Sequence, residues 1–183
     1  MNMKLTLLFT IGAFVTITSC SLPYTYYTKD LHANTQWSEE DIMRIQFYLS
    51  DDIMLTRSMN NGETSIAAGT IKIKNGERVE QVVIKSGTPG VLVMMPTEDR
   101  YAISFEEKDN DAYLMFGPNP KYEGRFALLA QEWDREYGIV HYKGQAYTAD
   151  AGSAFSCLMV DLRNEGESKY ETHNPTGRTV KHK

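Results

Sequence analysis

The chain has 183 residues, 42% hydrophobic and 23% charged, which is the make-up of one ordinary globular domain with accessory segments. Its formal net charge of −5 argues against a nucleic-acid binder, which needs a basic face to release counterions from phosphates. Removing residues 1–19 takes away Lys4 and no acid, so the balance becomes −6.

Met1 to Cys20 divides into three zones. Lys4 supplies a positive start, residues 5–17 are almost wholly apolar, and Thr18-Ser19-Cys20 places small residues at a cleavage point. The apolar run is shorter than the ~20 residues that cross a bilayer as a helix, so a cleaved export signal is predicted rather than a permanent span. Ile17-Thr18-Ser19-Cys20 resembles the lipobox of bacterial lipoproteins, in which an apolar residue and two small ones precede the modified cysteine. Ile17 and Thr18 depart slightly from the commonest form, and the resemblance covers the first 20 residues alone. It implies that Cys20 becomes the first residue of the mature chain and is the lipidation site, making the membrane a partner through its acyl chains. Two or more such chains form a durable anchor. An ordinary cleaved signal with a coincidental cysteine is the alternative. By the same resemblance, Ser21 in place of Asp, and no acidic cluster behind it, imply the outer membrane facing the periplasm.

Tyr24, Tyr26 and Tyr27 follow closely. A tyrosine ring is apolar and its hydroxyl seeks water, so the cluster could suit the membrane interface; an edge strand or a linker packed on the domain is the favoured reading. Residues 1–19 are read as signal, 20–36 as lipidated anchor and linker, 37–164 as a β-rich domain, and 165–183 as a polar, mobile tail.

One short helix is predicted over 39–47. Ser38 has the chemistry of an N-cap, Glu39, Glu40 and Asp41 favour the positive end of the helix dipole, and Trp37 and Ile42 occupy the positions of a hydrophobic staple. Beyond it the pattern turns to period two. Ile71 and Ile73 alternate with lysines ahead of Asn75-Gly76. A three-residue loop pairing Ile71 with Val79 is favoured over a two-residue loop that sets Ile73 against Arg78. Residues 91–95 suit a strand buried on both faces. Tyr101, Ile103 and Phe105 alternate, and the chain returns through 113–116. Pro118 and Pro120 are expected to break the ladder. Phe126 and Leu128 make a further face, residues 139–142 and 146–148 a hairpin about Lys143-Gly144, and 154–163 the last strand. The fold class is therefore mainly β, an antiparallel sandwich or small barrel with one short N-terminal helix.

Lipidation of Cys20 leaves Cys157 without an intrachain disulfide partner. Cys157 with His141 as base would make a nucleophile, but Phe155 and Met159 at the same parity favour a small buried hydrophobe. Glu132, Asp134 and Glu136 line one face if extended, as a metal site or glycosidase pair requires, yet a solvated turn around Trp133 fits better. Asp109-Asn110-Asp111 starts like a calcium loop but lacks its glycine and distal acid. Asp51-Asp52 reads as a strand edge or turn, and His32, His141, His173 and His182 lack paired metal spacing. No catalytic motif stands out, and no catalytic, metal or cofactor residue is assigned. The expected function is non-enzymatic: a periplasm-facing lipoprotein that binds a protein partner in the envelope. A ligand-holding β-barrel and a hydrolase with dispersed carboxylates remain as alternatives.

Overall fold

The period-two segments become strands in the computed structural model, which describes residues 24–60, 66–107 and 109–163. In chain order these are β1 (Tyr24–Tyr26), α1 (Lys29–Thr35), α2 (Glu39–Ile42), β2 (Phe47–Leu49), β3 (Ile53–Ser58), β4 (Thr70–Lys74), β5 (Glu77–Ile84) and β6 (Pro89–Thr97). There follow β7 (Arg100–Ser104), β8 (Tyr113–Asn119), β9 (Arg125–Leu128), β10 (Tyr137–Tyr142), β11 (Gln145–Asp150) and β12 (Leu158–Asp161). They build a seven-stranded sheet, β1-β12-β2-β6-β7-β8-β9, and a five-stranded sheet, β10-β11-β3-β5-β4. Every pairing between them is antiparallel. The fold is mainly β and sandwich-like, as the alternation foretells. The larger sheet curls without closing: β9 comes back to meet Thr28 and Cys157 through single bridges.

Of the readings offered for Tyr24–Tyr27 the structure has the edge strand: β1 pairs with β12 at the start of the larger sheet, and Tyr27 behind it is wholly buried. There are two helices rather than one. Thr28 caps α1, its hydroxyl accepting from the Leu31 amide, and Gln36 ends it in the left-handed region at φ 53°. Ser38 caps α2 as expected, in a reciprocal box with Asp41. That helix stops after one turn because residues 47–49 pair with β12 and β6, so sheet hydrogen bonds replace helical ones.

The β4–β5 hairpin has the shorter loop, pairing Ile73 with Arg78 and Lys72 with Val79. Asn75 and Gly76 both take positive φ, 51° and 82°, the two-residue turn whose twist matches the flanking strands. Because β4 is exposed along its whole length, no buried face selects the other register. Residues 91–95 are not buried on both faces: Val91 and Met94 are exposed, and register shifts interrupt the β6–β7 ladder there. Pro118 lies inside β8 opposite Phe126 instead of breaking it. The β7–β8 pairing stops at Tyr101 and Phe116, so the missing amide of Pro118 is not needed on that side. Finally, Ala151–Phe155 is a 3-10 turn capped by Asp150, which confines the last strand to β12.

The core lies between the sheets and inside the curl. Tyr27 is its aromatic centre, in ring contact with Phe47, Tyr101 and Phe126 and stacked on Trp37 from the approach to α2.

Candidate functional site

Cys20, His173, His182 and the tail lie outside the described residues. Cys157 is buried; its thiol donates to the Phe155 carbonyl at 3.3 Å and its amide to the Ser50 hydroxyl at 2.8 Å. Burial pushes the thiol pKa up to about 11, with the Arg125 charge only partly offsetting it and Asp51 adding to the rise. His141 is exposed on β10, in the other sheet. The thiolate–imidazole pair is therefore not assembled.

The carboxylates disperse in the same way. Glu132, Asp134 and Glu136 are all exposed ahead of and at the start of the β10–β11 hairpin. Trp133, between them, packs on Gly138, where a Cβ would meet the indole at 2.5 Å. Asp109 pairs with Lys143 at 2.9 Å and accepts from the Asp111 amide, which holds a turn together. Asp52 receives Lys85 at 2.7 Å and the Ser86 amide at 2.8 Å, so it clamps the β2–β3 turn to the end of β5, while Asp51 is exposed beside it. His32 contacts the Tyr27 hydroxyl at 3.0 Å. Among the described residues no group of three His, Cys, Asp or Glu is placed to hold a metal ion.

Sequence reasoning missed the most heavily buried charge. Glu80, on β5, is 0% exposed and takes Arg57 from β3 at 2.6 Å, with the Ala68 amide donating to its other oxygen. Burial alone would raise the carboxyl; the Ala68 and Arg57 hydrogen bonds outweigh it and hold its pKa below the ordinary value. Tyr147 from β11 lies beside this pair, and burial followed by the Glu80 charge raises its phenol. A signal for the pair was present: Glu80 has the parity of Val82 and Ile84, and Arg57 that of Ile53 and Leu55, all inward. The chemistry of the cluster is that of a clamp, since its carboxylate is saturated by partners from neighbouring segments.

Two surfaces remain open. On the outer face of the smaller sheet, Thr56, Ser58, Lys74, Glu77 and Thr148 line a broad-mouthed polar groove of about 230 Å³. On the outer face of the larger sheet, Tyr26, Met159, Tyr48 and Pro89 form one cross-strand row through β1, β12, β2 and β6. Tyr24 stacks on Tyr48 with ring centroids 4.2 Å apart, and the Arg125 guanidinium sits 4.0 Å from the Tyr26 ring. No helix among the described residues is long and apolar enough to cross a membrane.

Fold and surfaces together define a mainly β, two-sheet protein. Compared with family models, curated proteins and solved structures, the chain has no significant match.

Proposed function

We propose that this chain is a bacterial lipoprotein, held on the periplasmic side of the outer membrane by acyl chains on Cys20. Its β domain serves as a binding or assembly component of the envelope. The observation that carries the reading is the order Lys4, apolar 5–17, Ile17-Thr18-Ser19-Cys20. Two features of the domain support a binding role over a chemical one. The buried carboxylate is saturated by Arg57 and Ala68, and the Cys157 thiol is held far from its reactive form. The polar 230 Å³ groove is small and open, unlike the enclosed apolar cavities that hold small ligands.

The test is to express full-length protein and its Cys20→Ala variant with radiolabelled fatty acid. The parent should take up label and partition into detergent; the variant should do neither. Label retained in the variant would defeat the anchor. Affinity purification from detergent-solubilised envelopes should then recover a partner with the parent and much less with the variant, because the anchor raises local concentration. Turnover of glycans or peptides, abolished by removing one carboxylate, would replace binding with hydrolysis.

A further inference from the structure

We propose that the outer face of β1, β12 and β2 lies flat against the bilayer surface that holds Cys20, a placement that rests on the lipid-anchor reading above. Only Ser21, Leu22 and Pro23 separate Cys20 from the first residue of β1. At ~3.3–3.6 Å per residue the chain from Cys20 to Tyr24 reaches at most about 14 Å. The polar layer on one side of a bilayer is itself about 5–8 Å deep, so Tyr24 cannot be lifted far above the headgroups. One edge of the larger sheet must therefore sit at the membrane, and the remaining question is which face turns to it.

The opposite side turns to the core at Tyr27, which meets Phe47 and Phe126 there, while Thr25 at the same parity is small, polar and exposed. The outer face presents Tyr24, Tyr26 and Tyr48, with Met159 between the last two. Tyrosine suits this depth because its ring is apolar while its hydroxyl reaches water and phosphate. The Arg125 guanidinium over Tyr26 is paired with Glu123 at 2.9 Å, and Asp161 with Arg163 at 2.8 Å, so each charge beside the tyrosines is balanced locally. Tyr26, Met159 and Tyr48 stand side by side on three adjacent strands, so the contact is a strip across β1, β12 and β2, ahead of where the curl carries β6 away.

The experiment uses the acylated full chain in vesicles of phosphatidylethanolamine and phosphatidylglycerol, with and without lipids brominated near the top of the acyl chains. Tyr26→Trp and Tyr48→Trp report on the face. Tyr137→Trp, at a 43% exposed position on β10 of the other sheet, is the control. Emission is taken relative to the parent, whose Trp37 and Trp133 are common to all. All three positions are at least partly exposed, and circular dichroism of each variant should match the parent. The added emission of Tyr26→Trp and Tyr48→Trp should fall by about half on bromination, and that of Tyr137→Trp should hold. Quenching of Tyr26→Trp alone means a domain dangling from its tether and overturns the flat placement, as does equal quenching at all three sites or none. Mass spectrometry of the same samples separates the two failures: without acyl chains on Cys20 the anchor reading itself fails, and the placement with it.

Discussion

The Tyr27 hydroxyl lies 2.9 Å from that of Tyr101, a hydrogen bond between two buried phenols 74 residues apart. It ties the first strand of the domain to β7, and His32 from α1 completes it at 3.0 Å. Burial raises the Tyr101 phenol pKa, only partly offset by the Tyr27 bond, so the Tyr101 hydroxyl stays protonated and able to donate. Tyr27→Phe is expected to cost about 1–2 kcal/mol by leaving Tyr101 one bond short. Tyr27→Ala, which also opens a cavity among Phe47, Tyr101 and Phe126, should cost about 3–5 kcal/mol. Urea titration checks both. By the same reasoning a soluble chain starting at Ser21 should fold, and one starting at Leu31, stripped of β1 and Tyr27, should not; a cooperative transition of equal midpoint in the shorter chain would refute the role given to Tyr27.

The Arg57–Glu80 pair makes stability depend on acid in a defined direction. The folded carboxyl titrates below its ordinary 4.5, so its contribution is complete above that value and is lost as pH falls through the folded pKa. Glu80→Gln should destabilise the domain by about 3–5 kcal/mol at pH 7, because Arg57 is left facing a neutral amide with little solvent. The gap between parent and variant should shrink as pH drops below about 4.5. The double change Arg57→Met with Glu80→Leu should recover part of the loss, since apolar groups of similar size need no partners, while the Ala68 amide loses its acceptor. Melting curves at several pH values test all three.

Cys157 is expected to react slowly. With its thiol pKa near 11, the thiolate is scarce at neutral pH, and the side chain is buried as well. Iodoacetamide should label the native protein far more slowly than the urea-unfolded one. Cys157→Ser should cost about 1–3 kcal/mol by placing a hydroxyl where a weak donor sat. Fast labelling of the folded protein at pH 7 would show that the site opens.

The two-residue turn gives a sharper test of register. Gly76 takes φ 82° with nothing within 4 Å of an added Cβ, so Gly76→Ala meets backbone strain alone. The cost should be about 1–2 kcal/mol. Had Gly76 belonged to a longer bulged loop, Asn75 would tolerate substitution; with Asn75 at φ 51° as well, Asn75→Val should cost at least as much.

How much of this was legible follows from which residues carried a two-sided signal. The β10–β11 hairpin was clear because Val140, Tyr142, Tyr147 and Ala149 are buried among more exposed neighbours. The β4–β5 register was not, because β4 is exposed on both faces and only the φ preferences of Asn75-Gly76 could decide it. Tyr27 escaped for the opposite reason. Its neighbours Tyr24 and Tyr26 face outward at one parity while Tyr27 faces inward at the other, and three tyrosines in four positions read as one group, packed on the domain or at an interface, with no single residue marked as core. The Glu80 clamp required two strands to be read against each other, since neither Glu80 nor Arg57 is unusual until both are seen at inward parity. The proposal that Cys20 carries the anchor rests on local order alone, with no help from the fold.

Tyr24 lies directly opposite Asp161, so the chain enters and leaves the described domain at the same end of one antiparallel pair. A force applied between the N-terminal side and anything held by residues beyond Arg163 would load the β1–β12 hydrogen bonds one after another, as a zipper opens. The same force between the N-terminal side and a grip on β4, on the far edge of the other sheet, would have to slide packed layers across each other, which breaks many contacts together. The domain is thus mechanically soft toward its own tail and stiff toward its distant edge, and single-molecule pulling in the two geometries should separate them by unfolding force.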